Sequence, residues 1–412
     1  MEEPTVQLGF AVPIEDLSRV GHRSPNFDGW DGGQLGGHPT WLDPEHLPKP
    51  LACEHCQRTL RFVCQFYAPI DEFTDGGDDP RTEIANRGYH RSFYVYGCPE
   101  CSESNTGSIR VLRAQLTQSN AYWPLECDDL DASAWTQHLP STQEAKQCEV
   151  CRFRSQGRCS VQEVEFCGKD HQREHKKCVH TPRSKGEPEK PLPSVYPIYE
   201  LVVEEEPEPQ STAPSTEHEI ADGDDSDQEI EQDDLNLMSN RKNADTTSQD
   251  TQTISFYDRI RNRPNVAEQV LRYCRWEGDG PLWIRSSEQP TTIPPCPLCG
   301  GARKFEFQLM PQMLHYLLKD RAKVTTRDFS PVKPALLQAD AWVEEAPKHA
   351  VPPKLVDARE EARSRIRDEL AGEKELDWGV VCVFTCTKSC DALEGENAYL
   401  EEFAWRQHSL DL

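Results

Sequence analysis

Alternating apolar and polar residues mark the strands of this chain. The segment "HRSFYVYGCPECS" has aromatic and β-branched residues in alternation ahead of two cysteines. This alternation predicts a strand that ends at the cysteine pair. The segments "GARKFEFQLMP" and "DWGVVCVFTCTKSC" have the same character. The predicted fold class is therefore α+β and mainly β.

The apolar spacing changes in the segment "ISFYDRIRNRPNVAEQVLRYCRW". Apolar residues there recur three or four positions apart, which is typical of the buried face of a helix, and a proline divides the run at Pro264. We predict two short amphipathic helices around this proline. The residues that carry the pattern are Phe256, Ile260, Val266, Val270 and Leu271.

An acidic stretch separates the two β-rich parts of the chain. Residues 200–234 contain 15 Asp or Glu and almost no large apolar residue. Such a segment buries too little surface to offset the entropy lost on ordering, and we predict a disordered linker over residues 181–250. Two interpretations remain open, namely a solvated spacer and a segment that holds a basic partner by charge.

Length and composition set the domain organisation. At 412 residues the chain is long enough for two domains of ordinary size. We predict an N-terminal β-rich half over residues 1–135, a small zinc-finger insert over 145–180, the acidic linker over 181–250, and a C-terminal β-rich half over 251–412. The sequence shows no signal peptide and no membrane span. A cytoplasmic protein is expected, with shuttling to the nucleus left open.

The cysteines are arranged largely as close pairs, and their count of 17 is odd. In a reducing compartment this arrangement favours zinc over disulfides. One spacing occurs twice, because Cys53, Cys56, Phe62 and Gln65 recur as Cys296, Cys299, Phe305 and Gln308. The two β-rich halves are therefore predicted to be pseudo-repeats.

Each half supplies a second cysteine pair at the end of a strand, Cys98 with Cys101 and Cys386 with Cys390. Two pairs on neighbouring turns provide four thiolates, which suits a closed, tetrahedral zinc site. A redox couple and unligated buried thiols are the alternatives. The Cys386–Cys390 pair is one residue wider than the other pairs, which gives the unligated alternative more weight in the C-terminal half.

Another cluster of cysteines lies between the two halves, in "CEVCRFRSQGRCSVQEVEFCGKDHQREHKKC", residues 148–178. The part "FCGKDHQ" after a close cysteine pair resembles a MYND zinc finger. The resemblance assigns Cys148, Cys151, Cys167 and His171 to a first zinc site. A second site would hold Cys159, His175 and Cys178, but Gln162 replaces a cysteine there. Because glutamine is a poor zinc ligand beside thiolates, this second site uses His180, binds weakly or is empty.

Several longer motifs follow one another along the chain. They are "GGQLGGHPTWLDP", "LACEHC", "QFYAP", "YHRSFYVYGCPEC", "SIRVLRAQL", "RPNVAEQVLRY", "PCPLCGGARKFEFQLMPQML" and "DWGVVCVFTCTKSC". In order and spacing they resemble the programmed cell death protein two family, which includes a shorter yeast relative. The insert places the chain nearer the longer branch of that family.

The resemblance implies a dedicated chaperone that binds a nascent ribosomal protein of the small subunit, the universal S-five family member, and delivers it to pre-ribosomes. The formal net charge of −26 agrees with this implication, because it repels phosphate and favours a basic protein partner. We therefore expect zinc as the cofactor, no direct nucleic-acid or membrane partner, and a monomer. A MYND-type adaptor that binds proline-rich partners is the alternative. No catalytic motif is present, and an enzyme is not expected.

Three residues are candidates for contact with the client. Trp41 follows two glycines and is either an anchor for a client segment or a buried residue of the first sheet. Gln65 and Gln308 are repeated polar residues in apolar strands, and their amides must bond either to backbone or to a client strand. Phe62, Phe305 and Phe307 are predicted to belong to the core.

Overall fold

The computed structural model describes residues 6–14, 33–70, 84, 87–101, 103–118, 120, 145–158, 164–179, 194–207, 250–261, 268–278, 280–318, 375–390 and 398–409. Within these ranges the strands are β1 (Gln7–Pro13), β2 (Gly33–Leu35), β3 (Arg61–Tyr67), β4 (His90–Gly97), β5 (Ile109–Leu116), β6 (Gly157–Arg158), β7 (Glu165–Phe166), β8 (Tyr199–Glu205), β9 (Leu271–Tyr273), β10 (Arg303–Leu309), β11 (Val380–Cys386) and β12 (Tyr399–Gln407). The helices are α1 (Lys169–Val179), α2 (Thr251–Arg261) and α3 (Gln312–Leu318). The prediction of a mainly β protein is confirmed.

Strands from both ends of the chain close one barrel. Its order is β1-β8-β2-β3-β4-β5-β12-β11-β10-β9, and β6 and β7 form a separate two-stranded sheet. The barrel therefore contains a first strand group, β2 to β5, and a second strand group, β9 to β12. The groups meet directly where β5 pairs with β12. On the opposite side the antiparallel pair of β1 and β8 connects them.

The two strand groups share local features. The register of β3 against β4 shifts between Phe62 and Cys64, and that of β10 against β11 shifts between Phe305 and Phe307. Each shift is a bulge that bends its strand. The position of the bulge relative to the preceding cysteine pair is the same in both groups.

The barrel interior is apolar over most of its length. Phe66, Phe93 and Phe307 meet there, with ring centroids of Phe307 lying 4.7 Å from Phe66 and 5.0 Å from Phe93. Phe62 and Phe305 are also buried, on the outer faces of their strands. The prediction that these phenylalanines belong to the core is confirmed.

One region of the interior is polar instead. Arg91 shares the inward face of β4 with Phe93, and its guanidinium forms a bidentate ion pair with Glu306, in which both side chains are fully buried. Tyr273 donates to the same carboxylate at 3.0 Å, and Thr385 donates to its other oxygen. This network joins the first strand group to the second, because Arg91 lies on β4 and the other three residues lie on β9, β10 and β11.

The outer faces are covered by different segments. Residues 145–158 and 164–179, called the insert below, pack through Val150, Phe153 and Phe166 against the outer face of β3, β4 and β5. Helix α2 packs through Phe256 and Ile260 on the outer face of β1. No helix in the described ranges is long and apolar enough to cross a membrane.

The prediction of a second helix after Pro264 is wrong at the C-terminal end of that segment, while residues 262–267, which include Val266, lie outside the described residues. Leu271–Tyr273 form β9, which pairs with β1 on one side and β10 on the other. Helix α2 accounts for the first half of the pattern, through Phe256 and Ile260. Strand pairing and burial of Leu271 in the barrel outweigh the local helical spacing, because helix propensity is a weak preference.

The predicted disordered linker is wrong at residues 194–207. Tyr199–Glu205 form β8, and Tyr199 and Leu201 are buried in the barrel. Leu201 fits because glycines flank it, since a Cβ atom at Gly9 or Gly33 would lie 2.9 or 2.7 Å from its side chain. Of the rest of the predicted linker, residues 181–193 and 208–249 lie outside the described residues.

Candidate metal centres

The first cluster joins two cysteine pairs from the first strand group. Cys53 and Cys56 lie on a tight turn in which the backbone N–H of Gln57 donates to Cys53 O at 2.9 Å, and Gln57 has a φ of 60°. Cys98 and Cys101 follow the end of β4. All four sulfur atoms lie within 4.8 Å of one another, and the Sγ atoms of Cys56 and Cys98 are 3.6 Å apart. Tetrahedral zinc with bonds of about 2.3 Å places its sulfur ligands about 3.8 Å apart, so the spacing fits.

The third cluster in chain order repeats this arrangement in the second strand group. Cys296, Cys299, Cys386 and Cys390 bring their sulfur atoms within 4.8 Å of one another. The Sγ–Sγ distances are 3.6 Å for Cys299–Cys386 and 3.7 Å for Cys386–Cys390. The wider Cys386–Cys390 spacing is accommodated by Ser389, whose φ is 43° and whose N–H donates to Cys386 O at 2.9 Å. The extra residue therefore does not prevent the two pairs from meeting.

Cys299 is the exposed member of this third cluster. The backbone N–H of Gly301 donates to its sulfur at 3.3 Å. This hydrogen bond, followed by those with neighbouring cysteines, lowers the pKa of the Cys299 thiol to about 7. A thiolate is the form that binds a metal, so the turn favours the ligating state.

The second cluster lies in the insert and has three sulfur ligands and one nitrogen ligand. Cys148 and Cys151 lie on a turn closed by the N–H of Arg152, which donates to Cys148 O at 2.9 Å. Cys167 follows β7, and His171 lies in the first turn of α1. Cys151 Sγ and Cys167 Sγ are 3.4 Å apart, and His171 Nδ1 is 3.2 Å from Cys167 Sγ. All four ligand atoms are buried.

The environment of His171 favours a positive charge at the centre of this cluster. Burial by itself lowers the pKa of the imidazole, but hydrogen bonds to the sulfur atoms of Cys148 and Cys167 raise it to about 10. A divalent metal would supply positive charge at the same place, with a neutral imidazole as its ligand. The Cys₃His donor set is one that structural zinc uses.

The second site predicted for the insert lies outside the described residues. Cys159, Gln162 and His180 are not described, and neither are the side chains of His175 and Cys178 in α1. That site stays a prediction. Each of the three described clusters has four protein ligands, and the described cysteines are all free thiols without disulfides. The three clusters are compatible with closed structural zinc centres.

The three residues proposed for client contact are buried inside the protein, which corrects that interpretation. Trp41 packs against Tyr94 and Tyr399 at ring centroid distances of 4.9 and 5.0 Å, and its Nε1–H donates to Arg152 O of the insert at 2.8 Å. Gln65 and Gln308 are fully buried. Their Oε1 atoms accept from the backbone N–H of Thr40 and Leu282, each at 2.7 Å. The amides therefore hold loops of the protein itself.

The buried pair of Arg91 and Glu306 was not identified from the sequence. A signal is present, because Arg91 lies at the inward period of "HRSFYV" and Glu306 lies between two phenylalanines in "FEF". A charged residue at a core position needs a partner of opposite charge. The sequence alone does not indicate which residue that partner is, since the two lie 215 positions apart.

The fold is a β-barrel whose turns and insert carry two Cys₄ clusters and one Cys₃His cluster that could each hold a metal ion. The N-terminal domain of Programmed cell death protein 2 matches residues 5–129, and the "C-terminal putative domain" of the same protein matches residues 250–337 and 350–408. Mouse Programmed cell death protein 2 is 30% identical over 98% of this chain and 97% of its own length. The chain therefore belongs to the programmed cell death protein 2 family.

Other relatives give the same family. Bovine Programmed cell death protein 2 is 29% identical over 92% of this chain and 91% of its own length. Human Programmed cell death protein 2-like is 25% identical over 80% of this chain and 90% of its own length. No solved structure matches this chain.

The clusters lead to a prediction about metal content. Elemental analysis of protein purified under reducing conditions should find about two to four zinc ions per chain, because three four-ligand clusters are complete. Cys299→Ser should lower the zinc content of the protein that remains soluble by about one ion, because one cluster then has only three of its four ligands. Cys64→Ala is the control, because Cys64 is a buried thiol outside the clusters. A wild-type protein without zinc would contradict the assignment.

Proposed function

We propose that this protein is a dedicated chaperone that binds a nascent small-subunit ribosomal protein of the universal S-five family and delivers it to pre-ribosomes. Membership of the family and the negative charge of the chain support this proposal. There are 71 acidic against 45 basic residues, and 15 of the acidic residues lie within residues 200–234. A ribosomal protein before assembly is basic and lacks its phosphate counter-charges, so it aggregates or binds stray RNA. An acidic protein can cover that surface until the RNA replaces it.

The architecture in this proposal is a pair of pseudo-repeats within one barrel. The equivalent bulges at Phe62 and Phe305 support it, together with the equivalent loop bonds made by Gln65 and Gln308. The insert is proposed to be a MYND-like finger with a structural role. Its Phe153 packs against Tyr96 of β4, with the ring centroids 4.7 Å apart. This face of the insert is therefore buried against the barrel.

The proposed activity is binding without catalysis. Each described cluster offers four protein ligands, whereas a catalytic zinc needs an open position for water or substrate. Zinc would hold the turns in place, and the chain's own surface would meet the client. The proposed location is the cytoplasm, where the client is synthesised.

Purification of the tagged protein from growing cells, followed by sequencing of the messenger RNA that co-purifies, tests the proposal. A chaperone that acts on nascent chains should enrich the transcript of its client, and the enrichment should disappear when puromycin releases nascent chains before lysis. Enrichment that survives puromycin, or no enrichment of the S-five transcript, would argue against a nascent-chain chaperone of this client.

The acidic segment after β8 gives a kinetic prediction. Deletion of residues 208–234 should slow capture of the purified S-five protein more than it speeds release, because long-range charge acts mainly on encounter. The deletion begins after Pro207 so that β8 remains intact. The difference should shrink as salt rises, since exposed charges are screened beyond about 8 Å at physiological ionic strength.

Stopped-flow binding at several salt concentrations measures both rates. The matched control replaces residues 208–234 with a Gly/Ser segment of equal length, which removes the charge and keeps the tether. If the Gly/Ser protein binds at the wild-type rate at low salt, the segment is only a tether.

A further inference from the structure

Strand β8 has a hydrogen-bonding edge that no described strand covers. On one side β8 pairs with β1 along its whole length, from Gln7↔Glu205 to Pro13↔Tyr199. On the other side it pairs with β2 only at Tyr199 and Glu200. Gly33 of β2 lies beside Leu201, and beyond Leu201 the described ranges contain no partner for this second side. An open edge of this kind presents unpaired backbone N–H and C=O groups.

The register identifies which backbone groups face the open edge. The N–H of Glu206 donates to Val6 O across the β1–β8 pair at 2.7 Å. In an antiparallel pair the direction of the backbone groups alternates along the strand, so the groups of Glu204 and Val202 also face β1. Those of Val203 and Glu205 face the open edge.

The side chains around this edge combine apolar and acidic character. Val202 is 37% exposed, Val203 is 47% exposed, and Val12 on the neighbouring strand is 39% exposed. These three are most of the large apolar side chains that are exposed in the described part of the chain, where Ile254 and Leu298 are the others. Glu204 and Glu205 are exposed as well.

The acidic side chains at the edge differ in their pairing. Glu206 is paired with Arg259 of α2 at 2.6 Å. Among the described residues, no cation pairs with Glu204 or Glu205. Two negative charges are therefore available next to the two backbone positions that face the open edge.

We propose that the edge of β8 from Val202 to Glu205 binds an extended, basic segment of the client as an additional strand. Backbone hydrogen bonds to Val203 and Glu205 would give affinity, and lysine or arginine side chains opposite Glu204 and Glu205 would give specificity. Apolar side chains of the added strand would cover Val202 and Val203. The proposal rests on the proposed function, since it identifies where a basic client binds.

The acidic charge of the β8 edge favours a basic client over a second copy of this chain as the strand that binds there. Pairing two copies through β8 would bring Glu204 and Glu205 of both close together, and like charges on neighbouring strands are destabilising. Acidic residues on an edge strand are a common protection against such self-pairing. A basic strand meets attraction at the same positions.

Residue-resolved hydrogen exchange tests the edge directly. In the free protein the amides of Val203 and Glu205 should exchange fast, while those of Val202 and Glu204 are already protected by β1. Saturation with purified S-five protein should slow exchange at Val203 and Glu205 by about tenfold or more, as a net hydrogen bond of about 1.4 kcal/mol would. Amides that are protected in the free protein, or that stay fast in the complex, would overturn the proposal.

Two variants provide an independent measure. Val203→Pro removes one outward N–H without touching the bonds to β1, and Glu204→Lys/Glu205→Lys reverses the charge. Each should weaken S-five binding by roughly tenfold or more. The control Glu268→Lys/Glu277→Lys changes the same number of exposed charges beside β9 and should bind as wild type does. If Val203→Pro does not fold, the Glu204→Lys/Glu205→Lys variant is the test. If that variant binds the S-five protein as tightly as the wild type does, the proposal is overturned.

A second probe separates this proposal from the proposed function. The probe is a short synthetic peptide in which lysine and valine alternate. If the S-five protein does not bind but the peptide protects Val203 and Glu205, the client is wrong and the edge is correct. If the S-five protein binds while the two amides and both variants are unaffected, the chaperone role stands and the edge proposal fails. If neither probe protects the two amides, the edge proposal fails.

Discussion

Cys98→Ser is expected to leave the protein unfolded and insoluble, because strands of both halves close one barrel. Cys98 is a buried member of the first cluster, directly after β4. Structural zinc contributes an apparent binding free energy of about 10 to 16 kcal/mol to the folding of small finger peptides. The whole stability of a typical domain is about 5 to 15 kcal/mol. The metal contribution is therefore as large as the whole stability of a typical domain, and its loss is enough to unfold a protein of this kind. Soluble yield and circular dichroism measure the result.

The control for this prediction is Cys64→Ala. Cys64 is a fully buried cysteine of the same strand group, and it lies outside the clusters. Removing its sulfur should cost about 1 to 2 kcal/mol, the usual cost of a small cavity, and leave a folded protein. Cys53→Ser should behave like Cys98→Ser. If Cys98→Ser is as soluble and as stable as Cys64→Ala, the first cluster does not hold the fold through a metal.

Glu306→Gln is expected to lower the free energy of unfolding by about 3 to 5 kcal/mol. The substitution keeps the size of the side chain but leaves the buried guanidinium of Arg91 without a counter-charge. Arg91 has other contacts, since its Cζ atom lies 4.5 Å from the ring centroid of Phe93. A desolvated cation–π contact contributes about 2 kcal/mol or more, but it supplies no counter-charge and does not replace the carboxylate. Denaturant unfolding measures the change.

A surface pair provides the matched control. Arg110 of β5 and Glu401 of β12 also form a bidentate ion pair, but the Glu401 side chain is 41% exposed. Glu401→Gln should cost less than about 1 kcal/mol, because water screens the exposed pair. Equal costs for Glu306→Gln and Glu401→Gln would show that burial does not govern the contribution of the Arg91–Glu306 pair.

The same pair predicts a dependence of stability on pH. Burial by itself raises the pKa of Glu306, but the charge of Arg91 and the hydrogen bonds from Arg91, Thr385 and Tyr273 more than offset this, and the pKa is lowered. A folded-state pKa below the unfolded value of about 4.3 stabilises the protein above that pH. The contribution is lost as pH falls through the lowered pKa. The difference in stability between wild type and Glu306→Gln should therefore narrow below about pH 4.

The sequence predicted which residues form the described clusters, from short spacings in the two Cys₄ clusters and from the resemblance to a MYND zinc finger in the insert. A cysteine pair with two or three residues between its members lies on one turn, and a strand that ends at such a pair brings it to a fixed place. Cys53 with Cys56 and Cys98 with Cys101 follow this rule, and the structure brings each set of four ligands together. The strands themselves were predicted correctly where side chains alternate, as in β4 and β10.

The pairing of distant segments follows from the three-dimensional fold and is not encoded in local sequence patterns. Composition alone indicated that Tyr199–Glu205 belong to an acidic linker, but its inward residues Tyr199 and Leu201 complete the barrel between β1 and β2. Leu271 follows helical spacing, and pairing with Gly9 and Leu309 makes it a strand residue. Glu306 meets Arg91 across 215 positions of sequence. Burial and strand pairing depend on residues far apart in the chain, and their combined free energy exceeds the small local preferences that a sequence pattern expresses.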